Sequence, residues 1–162
     1  MQNEIITFRP IGIVHSPFKQ IDDMPIQPAG AVGIRGSIEI APEYQKGLTD
    51  LDGISHIILI YYFHQVTGYQ LSVTPFLDSV PRGIFSTRAP TRPNPIGISI
   101  VQLISVQDNI LELENIDILD RTPVIDIKPY IPAFDQPEEV QVGWLTNHTK
   151  NLKNTKSDQR FK

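Results

Sequence analysis

The side chains richest in chemistry crowd into RGIFSTRAPTRPNPIGIS, residues 82–99, where Arg82, Arg88 and Arg92 sit among Pro90, Pro93 and Pro95. Each proline fixes φ, removes a backbone donor and restricts the residue before it. The segment therefore predicts a stiff loop that holds cations in set places. The planar arginine fork suits a carboxylate, a phosphate or an aromatic face, and a preformed loop loses little entropy on binding. Asn94 adds an amide able to read a polar edge. The plain alternative is that the three arginines pair with surface acids, which contributes little to stability. A second cluster, DILDRTPVIDIKPY, holds Asp117, Asp120 and Asp126 with Arg121 and Lys128. It reads either as a surface ion-pair ladder or as a turn that Thr122 caps and Pro123 ends. Such a turn offers a carboxylate, a hydroxyl and backbone groups to a ligand's amine and hydroxyls.

Other chemistries lack their residues. The chain has no cysteine, which excludes disulfides and thiolate metal sites. His15, His56, His64 and His148 form no zinc spacing; read on one strand, His56 and His64 stand roughly 26 Å apart. No metal is expected. No G-x-S-x-G elbow marks Ser86 or Ser99 as a nucleophile. Neither G-x-G nor a phosphate-loop pattern occurs, so no nucleotide is held in the Rossmann manner. GAVGIRG spaces Gly30, Gly33 and Gly36 by three, which suits a bend entering a strand or a close backbone approach to a ligand.

Positioning these groups falls to strands. IITFRPIGIVHS, AVGIRGSIEI, HIILIYYFHQ, RGIFSTR, IGISIVQLISVQ, ILELENI and EVQVGWL read as β, with QDN a hairpin turn and VIDIKPYIP an extended segment broken by prolines. The near-continuous apolar run HIILIYYFHQ predicts a central strand buried on both faces. Helix is confined to short turns in PEYQKGLTDL and LTNHTKNLKN. Many short strands between turn signals predict a mostly β chain, a closed barrel or sandwich with one or two short helices. The polar, proline-bearing connection 20–31 is long enough to suggest a function of its own.

With 162 residues, 40% hydrophobic and 20% charged, the chain suits one soluble globular domain. No apolar run approaches the length of a membrane span, and MQNEIITFRP has no signal-peptide pattern. A cytoplasmic protein is expected. The net charge of −4 gives no global basic field for nucleic acid. Residues 150–162, by contrast, hold five basic residues against one acidic one. They predict a basic tail after a domain spanning 1–149, either frayed in solvent or reaching for phosphate.

Four segments carry a further signal: IGIVHSPFK, LTDLDGISHIILIYYFHQ, RGIFSTRAPTRPNPIGIS and DILDRTPVIDIKPYIP. In order and spacing, over about residues 8–144, they resemble the tRNA adenine N6-methyltransferase O family; TRxxxRPNPIG joined to D-x-TPVxDIKPY is the specific part. The resemblance implies a single-domain closed β-barrel that binds S-adenosyl-L-methionine without a Rossmann fold. It implies a homodimer that methylates N6 of the threonylcarbamoyl-modified adenosine next to the anticodon of threonine tRNAs, with the anticodon stem-loop as partner. Carried over by motif, the cofactor contacts are Pro28, Ala29 and Gly30 in QPAG, His64 with Gln65, Arg88, Ile98, and Asp120, Arg121, Thr122 and Pro123 in DRTP. Many bacterial members read DGTP and QPG at these places. They also carry a further C-terminal domain where this chain has its short basic tail.

The implied chemistry assigns further roles. A positive sulfonium repels an arginine at the sulfur, so Arg88 is expected at the cofactor's carboxylate or on its adenine. Arg82, Arg92, Asn94 and Lys128 are expected to meet RNA or substrate. His64, Asp126 and Tyr130 are candidate bases for the N6 proton, with the substrate's own carboxylate as another. Two rival readings are a non-catalytic RNA-binding barrel and a methyltransferase acting on a small molecule.

Overall fold

The structure, a computed structural model, describes residues 4–22, 24–148 and 154–161. Alternation builds its sheet. In β3 (His56–Tyr62) the residues Ile57, Leu59 and Tyr61 point inward. In β6 (Ile96–Gln107) Gly97, Ser99, Val101 and Leu103 do so, while Ile98 and Ile100 remain exposed. These two strands join β1 (Gly12–His15), β2 (Arg35–Ile40), β7 (Ile110–Glu114) and β8 (Pro123–Pro129) in a closed barrel of order β1-β2-β7-β6-β3-β8. Every pairing is antiparallel, and β8 returns to β1. Closure leaves no unpaired edge. Val14, Ile38, Ile40, Ile57, Leu59, Val101, Leu111, Leu113 and Val124 fill the interior.

β6 covers the whole of IGISIVQLISVQ, and Asp108 turns it into β7 through a positive φ of 54°. Other elements are shorter than their patterns predict. Pro10 keeps the first strand from starting before Gly12. β3 stops at Tyr62 and its outer face is partly open, so His64 and Gln65 lie in the turn beyond it and not on the strand with His56. RGIFSTR gives the two-residue β5 (Arg82–Gly83), paired with β4 (Ser72–Val73), and then a 3-10 turn, Ile84–Ser86. EVQVGWL forms no strand; its end enters a 3-10 turn, Gly143–Asn147. PEYQKGLTDL supplies the 3-10 turn Pro42–Leu48, and a single α-turn, α1 (Pro132–Asp135), follows β8. In GAVGIRG, Gly33 bends the chain at φ 77°, and a Cβ on Gly36 would meet His15 O at 2.7 Å. That spacing serves entry into β2 and approach to the chain's own backbone.

Residues 63–95 cross one mouth of the barrel and build a cap. There Val73, Ile84 and Ala89 bury a small second core, with Phe76 packed against it. Its fourth buried member is Phe161, from the basic tail. Ser157 exchanges backbone and side-chain hydrogen bonds with Met24 at 2.8 and 3.1 Å, Lys156 pairs with Pro25, and Arg160 lies 4.8 Å over Phe76. The described part of the tail is thus docked on the cap through Phe161 and Arg160, and on the 20–31 connection through Lys156 and Ser157. Lys150, Lys153 and Lys162 lie outside the described residues.

Candidate functional site

Three strand ends meet at the capped mouth: the end of β3, the start of β6 and the start of β8. Between them and the cap lies a cavity of about 290 Å³. Tyr61, Phe63, Gly97 and Ile98 line it from the barrel, His64 and Gln65 from the turn after β3, and Arg88 from the arginine loop. Asp117 and Thr122 enter from the chain leading into β8. Gly97 makes this mouth possible, because a Cβ there would fall 2.3 Å from the Tyr61 ring. Tyr61 and Phe63 pack edge to face with centroids 5.4 Å apart. A second cavity of about 690 Å³ lies beyond Arg88, lined by Pro28, Ala29, Phe85, Ile100 and Trp144. Ile26, Gln27, Thr87 and Arg88 border both spaces.

Asp117 forms the acidic wall of the first cavity. Ser99 donates to its Oδ1 at 2.8 Å. With that proton committed, Tyr61 donates its own to Ser99 Oγ, 3.1 Å away. Burial pushes the Asp117 carboxyl up to about 6, against the opposing pull of Ser99 and Arg88. Burial, helped by the Asp117 charge, also holds the Tyr61 phenol well above its ordinary value, so it is a neutral donor. Burial lowers His64, which favours a neutral imidazole at pH 7. Thr122 spends its proton on Leu119 O at 2.7 Å. Its 3.4 Å contact with His64 Nδ1 therefore requires the imidazole proton on Nδ1, which leaves a lone pair on Nε2.

The three arginines divide by role. Arg82 donates to Asp78 from Nε at 2.9 Å and from Nη2 at 2.7 Å, and lies 5.2 Å over Trp144. Arg92 lines the first cavity, yet its Nη1 serves the carbonyls of Thr87 at 2.8 Å and Ile84 at 3.1 Å. Both brace the cap. Arg88 borders both cavities and holds a longer 3.3 Å bond to Gln27 Oε1. Asn94 is exposed and borders neither cavity.

One of the three candidate bases reaches the cavity, and it is His64. Ile60 pairs with Asp126 but Tyr61 pairs with Val124, so Ile125 is an extra residue that exchanges the faces of β8 beyond it. Asp126 and Lys128 consequently stand on the outer face, paired to each other at 2.7 Å. Tyr130 bonds its N–H to His56 O, at the far end of β3. Within DRTP, Thr122 alone lines the cavity. Asp120 is turned away and takes Ser16 N–H at 3.0 Å and Lys19 Nζ at 2.7 Å. Burial raises its carboxyl, but Lys19 and Ser16 outweigh that and hold it low. Arg121 is exposed at φ 63°, and Pro123 pairs with Ile13. Pro28 and Ala29 face the second cavity, while Gly30 closes its turn on Gln27 O.

Tyr61, Ser99 and Asp117 escape sequence reading as a unit, because three separate segments supply them. Parity is the available signal: Ser99 is a hydroxyl at an inward position of a strand whose neighbouring inward residues are glycine, valine and leucine.

Comparison with known proteins agrees with this architecture. A Pyrococcus abyssi protein described as a probable S-adenosyl-L-methionine-binding protein is 50% identical over 157 residues, covering 97% of this chain and 85% of its own length. The Escherichia coli tRNA (adenine(37)-N6)-methyltransferase is 36% identical over 147 residues, and the match spans 85% of this chain but 63% of that enzyme. The crystal structure of TrmO from Pseudomonas aeruginosa superposes with a TM-score of 0.74 at 36% identity, covering 87% of this chain and 63% of that one. This chain thus spans under two thirds of the length of those two proteins. A family model described as the tRNA-methyltransferase O N-terminal domain matches residues 13–136, and the chain belongs to that family.

Proposed function

We propose that this chain is an S-adenosyl-L-methionine-dependent tRNA methyltransferase acting on N6 of the adenosine beside the anticodon, with the threonylcarbamoyl-modified base of threonine tRNA as its substrate. The observation that carries this reading is the pair of cavities sharing Arg88, Gln27 and Thr87 as a common wall. A two-substrate transfer needs two binding spaces that touch. The first cavity fits the cofactor in chemistry as well as in place. Arg88 suits a carboxylate, and Tyr61 and Phe63 offer aromatic surface to a cation. The second cavity presents Phe85 and Trp144, surfaces on which a splayed base can stack.

When bound, the cofactor supplies a methyl group on a positive sulfonium. Around it the residues position and exclude water, and preorganisation of this kind is the main source of acceleration in a one-step displacement. For transfer, N6 reaches past the shared wall of Gln27 and Thr87 into the first cavity, where His64 Nε2, free of the proton that Nδ1 carries, accepts the proton that N6 gives up as its bond to the methyl forms. The carbamoyl group on N6 makes that proton more acidic and the need for a base greater.

A homodimer in the cytoplasm completes the reading. Its support is the outer face of β3 and β6, where Ile58 lies opposite Ile100 and Ile60 opposite Ile98. Ile98 and Ile100 are 48% and 41% exposed and also border the first and second cavities, so a partner chain seated on this apolar face would cover the rims of both. Among the described residues no helix is long and apolar enough to cross a membrane.

Incubation of bulk tRNA with labelled cofactor, with and without the prior threonylcarbamoyl mark, tests the reading. Nucleoside mass spectrometry is expected to find N6-methylated threonylcarbamoyladenosine in the marked pool alone. Binding of an anticodon stem-loop without transfer would mean a non-catalytic RNA-binding barrel, and labelling of a small molecule instead of tRNA would move the substrate class.

A further inference from the structure

Asp117 is an acid for which the transfer step has no use. It is also unlike the other paired aspartates. Among the described residues the ion pairs within 4 Å engage Asp78, Asp120, Asp126 and Asp158, each with a lysine or arginine at 2.7 Å. Asp117 has no such cation. It has instead a hydroxyl chain, Tyr61 to Ser99 to Asp117 Oδ1, in which every proton points toward the carboxylate. Donors aligned in this way favour the anion and fix its direction. A glycine at position 97 leaves room for the Tyr61 ring that starts the chain. The carboxylate is thus built and aimed, and it stands in the wall of a cavity whose arginines are Arg88 and Arg92, the second already committed to backbone carbonyls.

A cavity with an arginine on one wall and an uncompensated aspartate on another fits a ligand that carries both signs of charge. We propose that Asp117 binds the positively charged end of the cofactor, while Arg88 takes its carboxylate, so that cofactor binding displaces a proton from this pocket. The inference rests on the cofactor reading above and adds to it the residue that selects for charge. The cationic groups on the cofactor are its α-ammonium and its sulfonium, and either would supply what Asp117 lacks. A cation brought against a carboxylate favours its ionised form, so binding is coupled to the loss of the Asp117 proton. The titratable and charged groups that bear on Asp117 are Tyr61 from β3 and Arg88 from the cap; the same cavity is also lined by His64, by Arg92, which serves the carbonyls of Thr87 and Ile84, and by Asp158, which is paired with Arg160 at 2.7 Å. Tyr61 stays neutral throughout the range in which Asp117 titrates.

Calorimetry on the intact chain in buffers of different ionisation enthalpy tests this. At pH 6 S-adenosylmethionine is expected to release roughly half a proton per site, and its affinity is expected to rise from pH 5 to pH 7 and then level. Asp117→Asn should weaken that binding roughly 10- to 100-fold and abolish the release, whereas His64→Gln, which alters a cavity residue and so changes affinity, should still show the release. S-adenosylhomocysteine keeps the ammonium but lacks the sulfonium charge. If both ligands weaken together in Asp117→Asn, the ammonium is the partner; if the preference between them narrows, it is the sulfonium. Methylthioadenosine, which lacks the amino-acid end and the charge, should bind both proteins alike.

Wild-type binding without proton release, or an Asp117→Asn protein that binds as tightly as wild type, overturns the inference and leaves the cofactor reading intact. Failure of the wild type to bind at any pH overturns both. Circular dichroism reports whether Asp117→Asn folds, and proton release by the wild type decides the matter if it does not.

Discussion

Asp117 and Asp120 are three residues apart on one stretch of chain, and they lie in opposite electrostatic worlds. Asp120 takes a backbone amide and the Lys19 ammonium, and its carboxyl is held below the ordinary range. Asp117 has one hydroxyl donor, Ser99, but no adjacent cation, and burial lifts it to about 6. The first arrangement is satisfied by the protein alone; the second is completed by something from outside. The same division runs through the arginines, since Arg82 and Arg92 are spent on Asp78 and on carbonyls while Arg88 faces the cavities. Charges that pair with each other hold the cap on the barrel. Charges kept apart across a cavity are those available to a ligand.

The contrast breaks most readily at Arg88. Arg88→Ala should weaken S-adenosylmethionine binding by about 100-fold or more, as expected when one partner of a desolvated charge pair is removed, with little change in melting temperature. Arg82→Ala should do the reverse, lowering the melting temperature and leaving affinity close to wild type. Calorimetry and thermal denaturation on the same preparations check both. If Arg82→Ala were the one to lose binding, the division into bracing and binding arginines would be wrong.

The two aspartates should also respond oppositely to pH. A carboxyl near 6 in the folded chain and near 3.8 in the unfolded chain binds more protons when folded, so its contribution to stability falls as pH rises from 4 to 6. Removing that charge, Asp117→Asn should stabilise the ligand-free protein at pH 7 by about 3 kcal/mol at most, and the gain should vanish near pH 4. For Asp120 the folded carboxyl is the stronger acid, so its contribution is present above the unfolded value and is lost as pH falls through the folded one. Asp120→Asn should cost under about 1 kcal/mol at pH 7, because Lys19 is exposed and screened. That deficit should close in acid. Denaturant titrations between pH 3 and 7 measure both, and curves of the same sign would refute the comparison.

How much of this was legible in the sequence depends on distance along the chain. IGISIVQLISVQ reads directly as β6, because its alternation is local. The stiff arginine loop is legible for the same reason. Asp126 is not, because the bulge at Ile125 exchanges the faces of β8, and no single-strand pattern reveals a bulge set by pairing with β3. Nor is the Tyr61–Ser99–Asp117 chain, whose members are separated by 38 and 18 positions. Parity marks Ser99 as inward, but which carboxylate it meets is decided by barrel closure. The docking of Phe161 into the cap has a similar origin: the charged tail carries an apolar side chain whose partners lie far upstream.

The smallest effect lies one residue beyond the two aspartates, at Arg121. Its φ of 63° is a left-handed conformation that costs a residue with a Cβ about 1 kcal/mol or more, and its N–H is committed to Val14 O at 2.7 Å, so the backbone cannot relax. Glycine relieves the conformation but gains entropy in the unfolded chain, which offsets part of the benefit. Arg121→Gly should therefore raise the melting temperature by about 1–2 °C and leave cofactor affinity unchanged, as calorimetry would check. The guanidinium is exposed in a groove with Lys19, Arg35 and Asp120, where Lys19 and Asp120 pair at 2.7 Å and Arg35 reaches Glu114 at 3.5 Å. If the substitution instead weakened binding of an anticodon stem-loop, the groove would have to be counted among the surfaces left open for a ligand, and the boundary between the two kinds of charge would move past Asp120.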